Sequence, residues 1–263
     1  MNDFTGKVVL LAGGLGTRLS EETTLKPKPM VEIGGRPLLV HLMEIYSRFG
    51  INEFIICAGY KGFIIKEYFA NYALHNSDLH VDLAQGRVQF TRSNVPSWKI
   101  HIVDTGEHSM TGGRIGRIGS LVKDDPYFYL TYGDGLSSID ILASRDFHVR
   151  HGKQATMTAV RPSARFGSAI INNDMVTHFA EKSQTEQGLI NGGFFVLSPK
   201  VLDLIGDDQT IWEQGPMQQL AAAGELMAYE HSGFWQPMDT LREKQMLEEL
   251  WATGGRPWTV TGA

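Results

Sequence analysis

The chain has one cysteine in 263 residues, so no disulfide can form within it. It also lacks any apolar run of about 18 residues, and no basic segment at the N-terminus leads into a long apolar one. These absences exclude a disulfide-stabilised small fold and predict a protein without a membrane span, located in the cytoplasm. The one cysteine, Cys57, stands in the apolar run 54–58, where we expect a buried and unreactive thiol.

An excess of positive charge is also missing. The chain has 24 lysines and arginines against 29 aspartates and glutamates, a net charge of −5. This balance argues against nucleic acid as a partner, whereas a small anionic substrate needs only a local basic pocket. With 42% hydrophobic residues, the chain can bury a sizeable core.

Two common phosphate-binding motifs are absent. The Walker pattern G-x-x-x-x-G-K-[ST] does not occur, and the dinucleotide pattern G-x-G-x-x-G fails because Leu19 takes the third glycine position. These absences exclude a P-loop NTPase and make an NAD enzyme the weaker hypothesis. What is present is an apolar run, 8–12, followed by a glycine-rich loop, 13–16, and a basic segment, 18–28. Such a loop can bind phosphate oxygens through backbone N–H groups, although a plain glycine turn remains an alternative.

Apolar runs alternate with helical patterns along the chain, which predicts an α/β fold with a Rossmann-like, mostly parallel mixed sheet flanked by helices. The predicted strands are 8–12, 53–58, 100–104, 127–132, 154–160, 168–171, 175–180 and 190–197, with a polar, β-rich stretch at 79–94. The predicted helices are 37–49, 63–74, 114–122, 139–151, 199–205, 216–223 and 241–251.

Two aspartates are candidate metal ligands. Asp134 follows the predicted strand 127–132, at the strand end where ligands bind in open α/β sheets. Asp239 precedes the last predicted helix. Mg²⁺ is often held by one or two carboxylates together with substrate phosphates, so this pair is sufficient. An Asp-Gly turn and a helix N-cap are the respective structural alternatives.

The string Gly-Gly-Leu-Gly-Thr-Arg-Leu at 13–19, with Lys-Pro-Lys-Pro-Met at 26–30, resembles the first motif of the sugar-1-phosphate nucleotidylyltransferases. The resemblance extends from Lys7 to about Trp258. It implies a single domain over 1–263, with a nucleotide-binding part at about 7–135 and a small β-rich sugar-binding part within about 136–263. It also implies that Asp134 and Asp239 hold Mg²⁺, and that the protein is a homo-oligomer.

The same resemblance assigns further site residues. It implies catalytic roles for Arg18, Lys28 and Lys182. The implied nucleotide contacts are Leu11, Ala12, Gly13, Gly14, Gly16, Thr17, Arg18, Lys28, Thr105, Ser109, Arg114 and Gly133. The implied sugar-phosphate contacts are Glu181, Lys182, Asn191 and Gly192. Ser183 stands where the family usually has the proline of a Glu-Lys-Pro pattern. A solvated surface side chain remains the alternative for Lys182, and a plain glycine turn remains the alternative for the Asn-Gly-Gly segment at 191–193.

The segment 104–114, Asp-Thr-Gly-Glu-His-Ser-Met-Thr-Gly-Gly-Arg, resembles the cytidylyl branch of the family. This implies transfer of CMP from CTP to α-D-glucose 1-phosphate, giving CDP-glucose and pyrophosphate, an entry to the dideoxysugars of bacterial surface polysaccharide. Arginine has only donors and cytosine offers acceptors at O2 and N3, so Arg114 is expected to favour cytosine. The alternatives are an exposed Arg114 without that role, UTP or dTTP as donor, another hexose 1-phosphate, and a non-catalytic nucleotide-sugar sensor.

Two further groups of residues have simpler interpretations. His148 and His151 are spaced as one helical pair without a third ligand, which predicts a solvated helix face and no zinc site. Tyr68, Phe69 and Tyr72 have helical spacing and are expected to pack in the core or at a subunit contact.

Overall fold

The computed structural model describes residues 6–14, 16, 19–91, 95–162, 168–172, 175–180 and 188–259. Its strands are β1 (Val8–Ala12), β2 (Glu32–Ile33), β3 (Arg36–Pro37), β4 (Glu53–Ala58), β5 (Asp78–Asp82), β6 (Arg87–Thr91), β7 (Lys99–Asp104), β8 (Phe128–Tyr132), β9 (Gly135–Ser137), β10 (Ala155–Val160), β11 (Ser168–Asn172), β12 (Met175–Ala180), β13 (Ile190–Leu197), β14 (Leu226–His231) and β15 (Trp235–Pro237).

The α-helices are α1 (Ser20–Thr23), α2 (Leu38–Ser47), α3 (Gly62–Ala70), α4 (Tyr72–His75), α5 (Thr111–Arg117), α6 (Gly119–Val122), α7 (Ile141–His151), α8 (Pro216–Ala222) and α9 (Leu241–Ala252). Short 3-10 helices lie at Lys28–Met30, Pro199–Leu204 and Pro257–Thr259. Two predicted helices are each divided in two, since 63–74 breaks at Asn71 and the helix expected at 114–122 begins at Thr111 and breaks at Ile118.

Seven strands form the central sheet in the order β14-β10-β13-β8-β1-β4-β7. Six of them run in the same direction, and β13 runs antiparallel to both its neighbours, β8 and β10. This confirms the predicted mostly parallel mixed sheet. The antiparallel strand has one consequence for the site: its first residues lie at the same edge as the last residues of β1, β4, β8 and β10.

The central sheet is covered on both faces at β1, as the burial of this strand on both sides shows. Val8 and Leu10 belong to a core cluster shared with α2, while Val9 belongs to a second cluster that contains Trp212. This alternation follows from the two-residue period of a strand. The second cluster also contains Cys57, whose thiol is buried, and burial raises the pKa of that thiol to about 12. The prediction of a buried and unreactive cysteine is confirmed.

The prediction that the two histidines of α7 form a solvated helix face is wrong. His148 is only 5% exposed, and Nδ1 of His148 and Nε2 of His151 lie 2.9 Å and 2.7 Å from Oγ1 of Thr156 in β10. The helix packs this face against the central sheet, so His148 is a buried polar group and His151 a half-buried one, with a shared partner. Among the described helices, none has the length and apolar character needed to cross a membrane.

Candidate active site

A cleft of about 530 Å³ opens where the parallel strands end. Its lining contains ten of the predicted site residues, namely Leu11, Gly13, Gly14, Gly16, Lys28, Ser109, Arg114, Gly133, Asp134 and Asp239. These come from five separate segments of the chain. The cleft therefore joins the glycine-rich loop, both candidate metal ligands and the segment before α5.

Lys28 lies between the two aspartates. Its ammonium nitrogen is 2.9 Å from Oδ2 of Asp134 and 2.6 Å from Oδ1 of Asp239. The lysine is only 9% exposed, and burial opposes its charge. The two carboxylates outweigh this desolvation, so the pKa of Lys28 is raised above its ordinary value and the side chain stays an ammonium ion at neutral pH.

The flanking prolines explain how the sequence holds Lys28 there. Pro27 has an extended backbone, with φ −66° and ψ 150°, and caps the 3-10 helix that Lys28 begins. Pro29 is the second residue of that helix, and each proline ring fixes its own φ. The segment is further held by a hydrogen bond of 2.8 Å from the Met30 N–H to the Pro27 carbonyl.

The two aspartates are brought together by backbone pairing. Strand β9, which follows Asp134, pairs with β15, which precedes Asp239. The Met238 N–H also donates to the Asp134 carbonyl at 2.7 Å. The N-cap of α9 is Thr240, in a capping box with Glu243, so Asp239 does not serve as the cap.

The carboxylates fit a hard divalent cation. Both present oxygen ligands at the cleft, and the side chains of Asp134 and Asp239 are 40% and 23% exposed. Within the described part of the chain, no three His, Cys, Asp or Glu residues are grouped as a metal site. A cation held here would thus rely on these two carboxylates together with oxygens of a bound substrate.

Arg114 is buried beneath the cleft, with 4% of its surface exposed. Its guanidinium donates to the Gly13 carbonyl at 2.9 Å, to the Gly106 carbonyl at 2.8 Å and to Thr105 Oγ1 at 2.9 Å. The alternative of an exposed arginine is therefore wrong. The guanidinium connects the glycine-rich loop to the segment after β7, while its contact with a base stays a prediction.

Two glycines leave room for this guanidinium. A Cβ on Gly13 would lie 2.0 Å from Nη1 of Arg114, and one on Gly59 would lie 2.4 Å from the same atom. Gly59 was not among the predicted site residues. Its position directly after β4, at the same sheet edge as Gly13, was the signal available in the sequence.

Ala12 and Thr105 lie below the cleft surface, with 1% and 0% exposure. The Thr105 hydroxyl donates to the Ala58 carbonyl at 2.7 Å and accepts from Arg114. Its side chain thus connects β4, β7 and α5. A direct contact of Ala12 or Thr105 with a nucleotide stays a prediction.

The predicted sugar contacts Asn191 and Gly192 line a smaller pocket that shares Tyr132 and Asp134 with the main cleft. The Trp235 indole N–H donates to the Gly192 carbonyl at 2.7 Å. The two pockets are therefore adjacent, with Asp134 between the predicted nucleotide and sugar positions.

Four predicted residues, Thr17, Arg18, Glu181 and Lys182, lie outside the described residues. Tyr132 and Glu213 were missed, although both line the main cleft. Tyr132 directly precedes the Gly133-Asp134 pair, which was a usable signal. Glu213 lies in a turn far along the chain with no motif around it, so nothing in the sequence identified it.

Comparison with known proteins gives consistent results. A family model described as nucleotidyl transferase matches residues 7–235. The chain is 58% identical to a glucose-1-phosphate cytidylyltransferase of Salmonella typhimurium, over 96% of this chain and 98% of the relative. It is 42% identical to a probable glucose-1-phosphate cytidylyltransferase of Bacillus subtilis, over 97% and 99% of the two chains.

The fold has matches among solved structures. The crystal structure of HddC from Yersinia pseudotuberculosis aligns with a TM-score of 0.67 at 24% identity and covers 94% of this chain and 99% of that one. At this identity the match supports the architecture alone. It agrees with the mixed seven-stranded sheet described above.

Proposed function

Because the chain belongs to the nucleotidyl transferase family, we propose that it transfers CMP from CTP to α-D-glucose 1-phosphate, giving CDP-glucose and pyrophosphate. The observation that carries the proposal is the convergence of Lys28, Asp134 and Asp239 beside the glycine-rich loop. The choice of CTP and glucose 1-phosphate is supported by the names of the Salmonella and Bacillus relatives.

The reaction needs no general base. A phosphate oxygen of glucose 1-phosphate, already ionised at neutral pH, attacks the α-phosphorus of CTP, and the bond to the pyrophosphate oxygen breaks. Catalysis then consists of aligning two anions and offsetting their repulsion. In the proposal, Lys28 and Arg18 stabilise charge on the leaving pyrophosphate, and Lys182 aligns the attacking phosphate.

We propose Mg²⁺ as the cation bound by Asp134 and Asp239. When bound, it would neutralise negative charge on the triphosphate. Both aspartates supply the oxygen ligands that Mg²⁺ prefers, and the pairing of β9 with β15 keeps them close. Lys28 contacts the same two carboxylates that would bind Mg²⁺. We therefore expect Mg²⁺ to take the place of its ammonium group, which turns toward the phosphates when the substrate binds.

The remaining assignments belong to the same proposal. Residues from about 7 to 135 form the nucleotide side of a single domain, with contacts from the glycine-rich loop, Ser109 and Gly133. Residues from about 136 to 263 form the sugar side, where Glu181, Lys182, Asn191 and Gly192 contact the sugar phosphate. Arg114 favours cytosine by positioning the loops that surround the base, in addition to any direct contact.

We also propose a cytoplasmic homo-oligomer that serves dideoxysugar and surface-polysaccharide synthesis. The hairpin of β5 and β6 supports assembly, because Leu83, Val88 and Phe90 are 89%, 55% and 52% exposed. Light scattering on the purified protein should give a mass above that of one chain. A monomer at micromolar concentration would contradict this part.

The central experiment measures pyrophosphate release with Mg²⁺ from CTP, UTP, dTTP, ATP and GTP in turn, with glucose 1-phosphate and without it. Release that requires both CTP and the sugar phosphate is expected. Release with UTP or dTTP would retain the reaction but overturn the base assignment. No release with any nucleotide would favour another hexose phosphate or a nucleotide-sugar sensor.

A further inference from the structure

Tyr132 connects the two pockets through its hydroxyl group. The hydroxyl donates to Oε1 of Glu213 and lies 3.1 Å from Nδ2 of Asn191, which donates to it. A carboxylate can only accept a hydrogen bond and an amide nitrogen can only donate one, so the direction of both hydrogen bonds is fixed.

Glu213 is held in place from the nucleotide side. Its second carboxylate oxygen accepts a hydrogen bond from the Thr111 hydroxyl at 2.7 Å, and Thr111 is the first residue of α5. The Thr111 hydroxyl in turn accepts from the backbone N–H of Trp212 at 2.9 Å. The Trp212 side chain is fully buried, which anchors the turn that contains Glu213.

Asn191 is held in place from the sugar side. Its Oδ1 accepts from the Gly193 N–H at 2.8 Å, so the amide orientation is defined and Nδ2 is directed toward Tyr132. An amide nitrogen has two hydrogens, and Tyr132 uses one of them. The Tyr132 ring also packs on Gly193, where an added Cβ would lie 2.7 Å from a ring carbon.

We propose that Glu213 is a positioning residue that acts through Tyr132 to fix the Asn191 amide for a hydroxyl group of the acceptor sugar. The chain of hydrogen bonds Thr111, Glu213, Tyr132, Asn191 then connects the segment that flanks the nucleotide to the segment that flanks the sugar. This inference rests on the proposed function and adds a residue for which neither family motif nor sequence pattern gave a role.

The network explains why a carboxylate suits position 213. Both of its partners are hydroxyl groups that donate, and a carboxylate accepts from both without supplying a hydrogen of its own. A glutamine could accept from one hydroxyl only and would present N–H to the other. Glu213→Gln should therefore weaken the network without changing its shape.

The test compares steady-state kinetics of Tyr132→Phe and Glu213→Gln with those of the wild type. Tyr132→Phe keeps the ring and removes only the hydroxyl. We expect the KM for glucose 1-phosphate to rise about 10-fold in Tyr132→Phe and several-fold in Glu213→Gln, while the KM for CTP changes less than about 2-fold. Tyr129→Phe, in the same strand but outside this network, is the matched control and should leave both KM values unchanged.

The double variant gives a second criterion. If Glu213 acts through Tyr132, Tyr132→Phe combined with Glu213→Gln should be no worse than Tyr132→Phe alone. An unchanged KM for glucose 1-phosphate in Tyr132→Phe, or additive effects in the double variant, would overturn the inference.

Failure of the proposed function would be seen in the wild type itself, in which substrates it accepts, and not in the comparison of variants. If the wild type uses another hexose phosphate or another nucleotide, the substrate assignment is wrong, and the same comparison made with the active pair decides the positioning role. If the wild type is inactive with every pair, the inference fails together with the proposed function. Melting temperatures within a few degrees of wild type would show that the kinetic changes do not come from unfolding.

Discussion

Asp239 lies 2.6 Å from the ammonium nitrogen of Lys28, although the two residues are 211 positions apart in the chain. The same ammonium is 2.9 Å from Asp134, so one cation joins two acidic groups that would otherwise repel each other. The three side chains thus form one unit with a net charge of −1, in which a change to any member affects the other two.

Replacement of Lys28 should therefore have a large kinetic effect. Lys28→Met keeps most of the side-chain volume and removes the charge, and we expect the rate of pyrophosphate release to fall by at least ~10²-fold, the scale of one preorganised electrostatic contact. Lys26→Met is the control, because Lys26 pairs with Glu32 outside the cleft. Normal turnover in Lys28→Met would contradict the role assigned to this lysine.

Removal of one carboxylate should weaken metal binding. Asp134→Asn retains the size of the side chain, and we expect the Mg²⁺ concentration needed for half-maximal rate to rise at least ~10-fold, with a rate loss of ~10²-fold at saturation. Calorimetric titration with Mn²⁺ measures the same loss without turnover. Asp146→Asn, on an exposed residue of α7, should match the wild type in both measurements. Equal metal affinity in Asp134→Asn would rule out this site.

A methyl group at residue 59 should disturb the packing around Arg114. In Gly59→Ala the new Cβ would meet the guanidinium at 2.4 Å, the Gly13 carbonyl at 2.8 Å and the Gly106 carbonyl at 2.9 Å. Overpacking of this kind costs ~1–3 kcal/mol of unfolding free energy.

Urea unfolding and CTP titration should both show the effect of Gly59→Ala, since displacement of Arg114 disturbs both loops of the nucleotide side. Gly206→Ala is the control, because the nearest atom to its added Cβ would be 3.9 Å away. Wild-type stability together with wild-type CTP affinity in Gly59→Ala would show that the crowding around Arg114 has no energetic consequence.

Acid should destabilise the fold through buried histidines. Burial lowers the pKa of His148 to about 4, below the ordinary value of 6.5, so the unfolded chain binds more protons between these two pH values. Stability is therefore full above pH 6.5 and falls as the pH drops toward 4. For His148 alone, the loss between pH 7 and pH 5 is ~2 kcal/mol.

Urea unfolding of His148→Gln at these two pH values tests this. The variant should lose less stability on acidification than the wild type, even if it is less stable at pH 7. His80→Gln, on the exposed hairpin strand β5, should keep the wild-type pH dependence. An unchanged slope in His148→Gln would show that another group is responsible.

The sequence predicted the elements with strong local patterns and missed those that depend on distant partners. Strand 8–12 and the strand at 53–58 match the structure because continuous apolar runs need burial on two faces. The short strands β9 and β15 carry no such pattern and form because they pair with each other across about a hundred residues. That pairing is what brings Asp134 close to Asp239.

The same distinction applies to the candidate site. Glycines and prolines impose local geometry, so the segment around Lys28 was predictable as a phosphate-binding candidate. The burial of Arg114 was not predictable, because it depends on space left by Gly13 and Gly59, which directly follow β1 and β4. The prediction of a solvated His148 was wrong for a similar reason, since its hydrogen-bond partner Thr156 belongs to the next strand, β10.

The reversed direction of β13 also bears on how such a protein can diversify. Since β10 ends and β13 begins at the edge where the cleft opens, the connection between them, residues 161–189, starts and finishes there. Its length and sequence can change without shifting the register of any strand in the central sheet. Under the proposed function, exchange of this connection around a retained Lys182 would alter acceptor preference, while the residues at the ends of β1 and β8 are inherited unchanged.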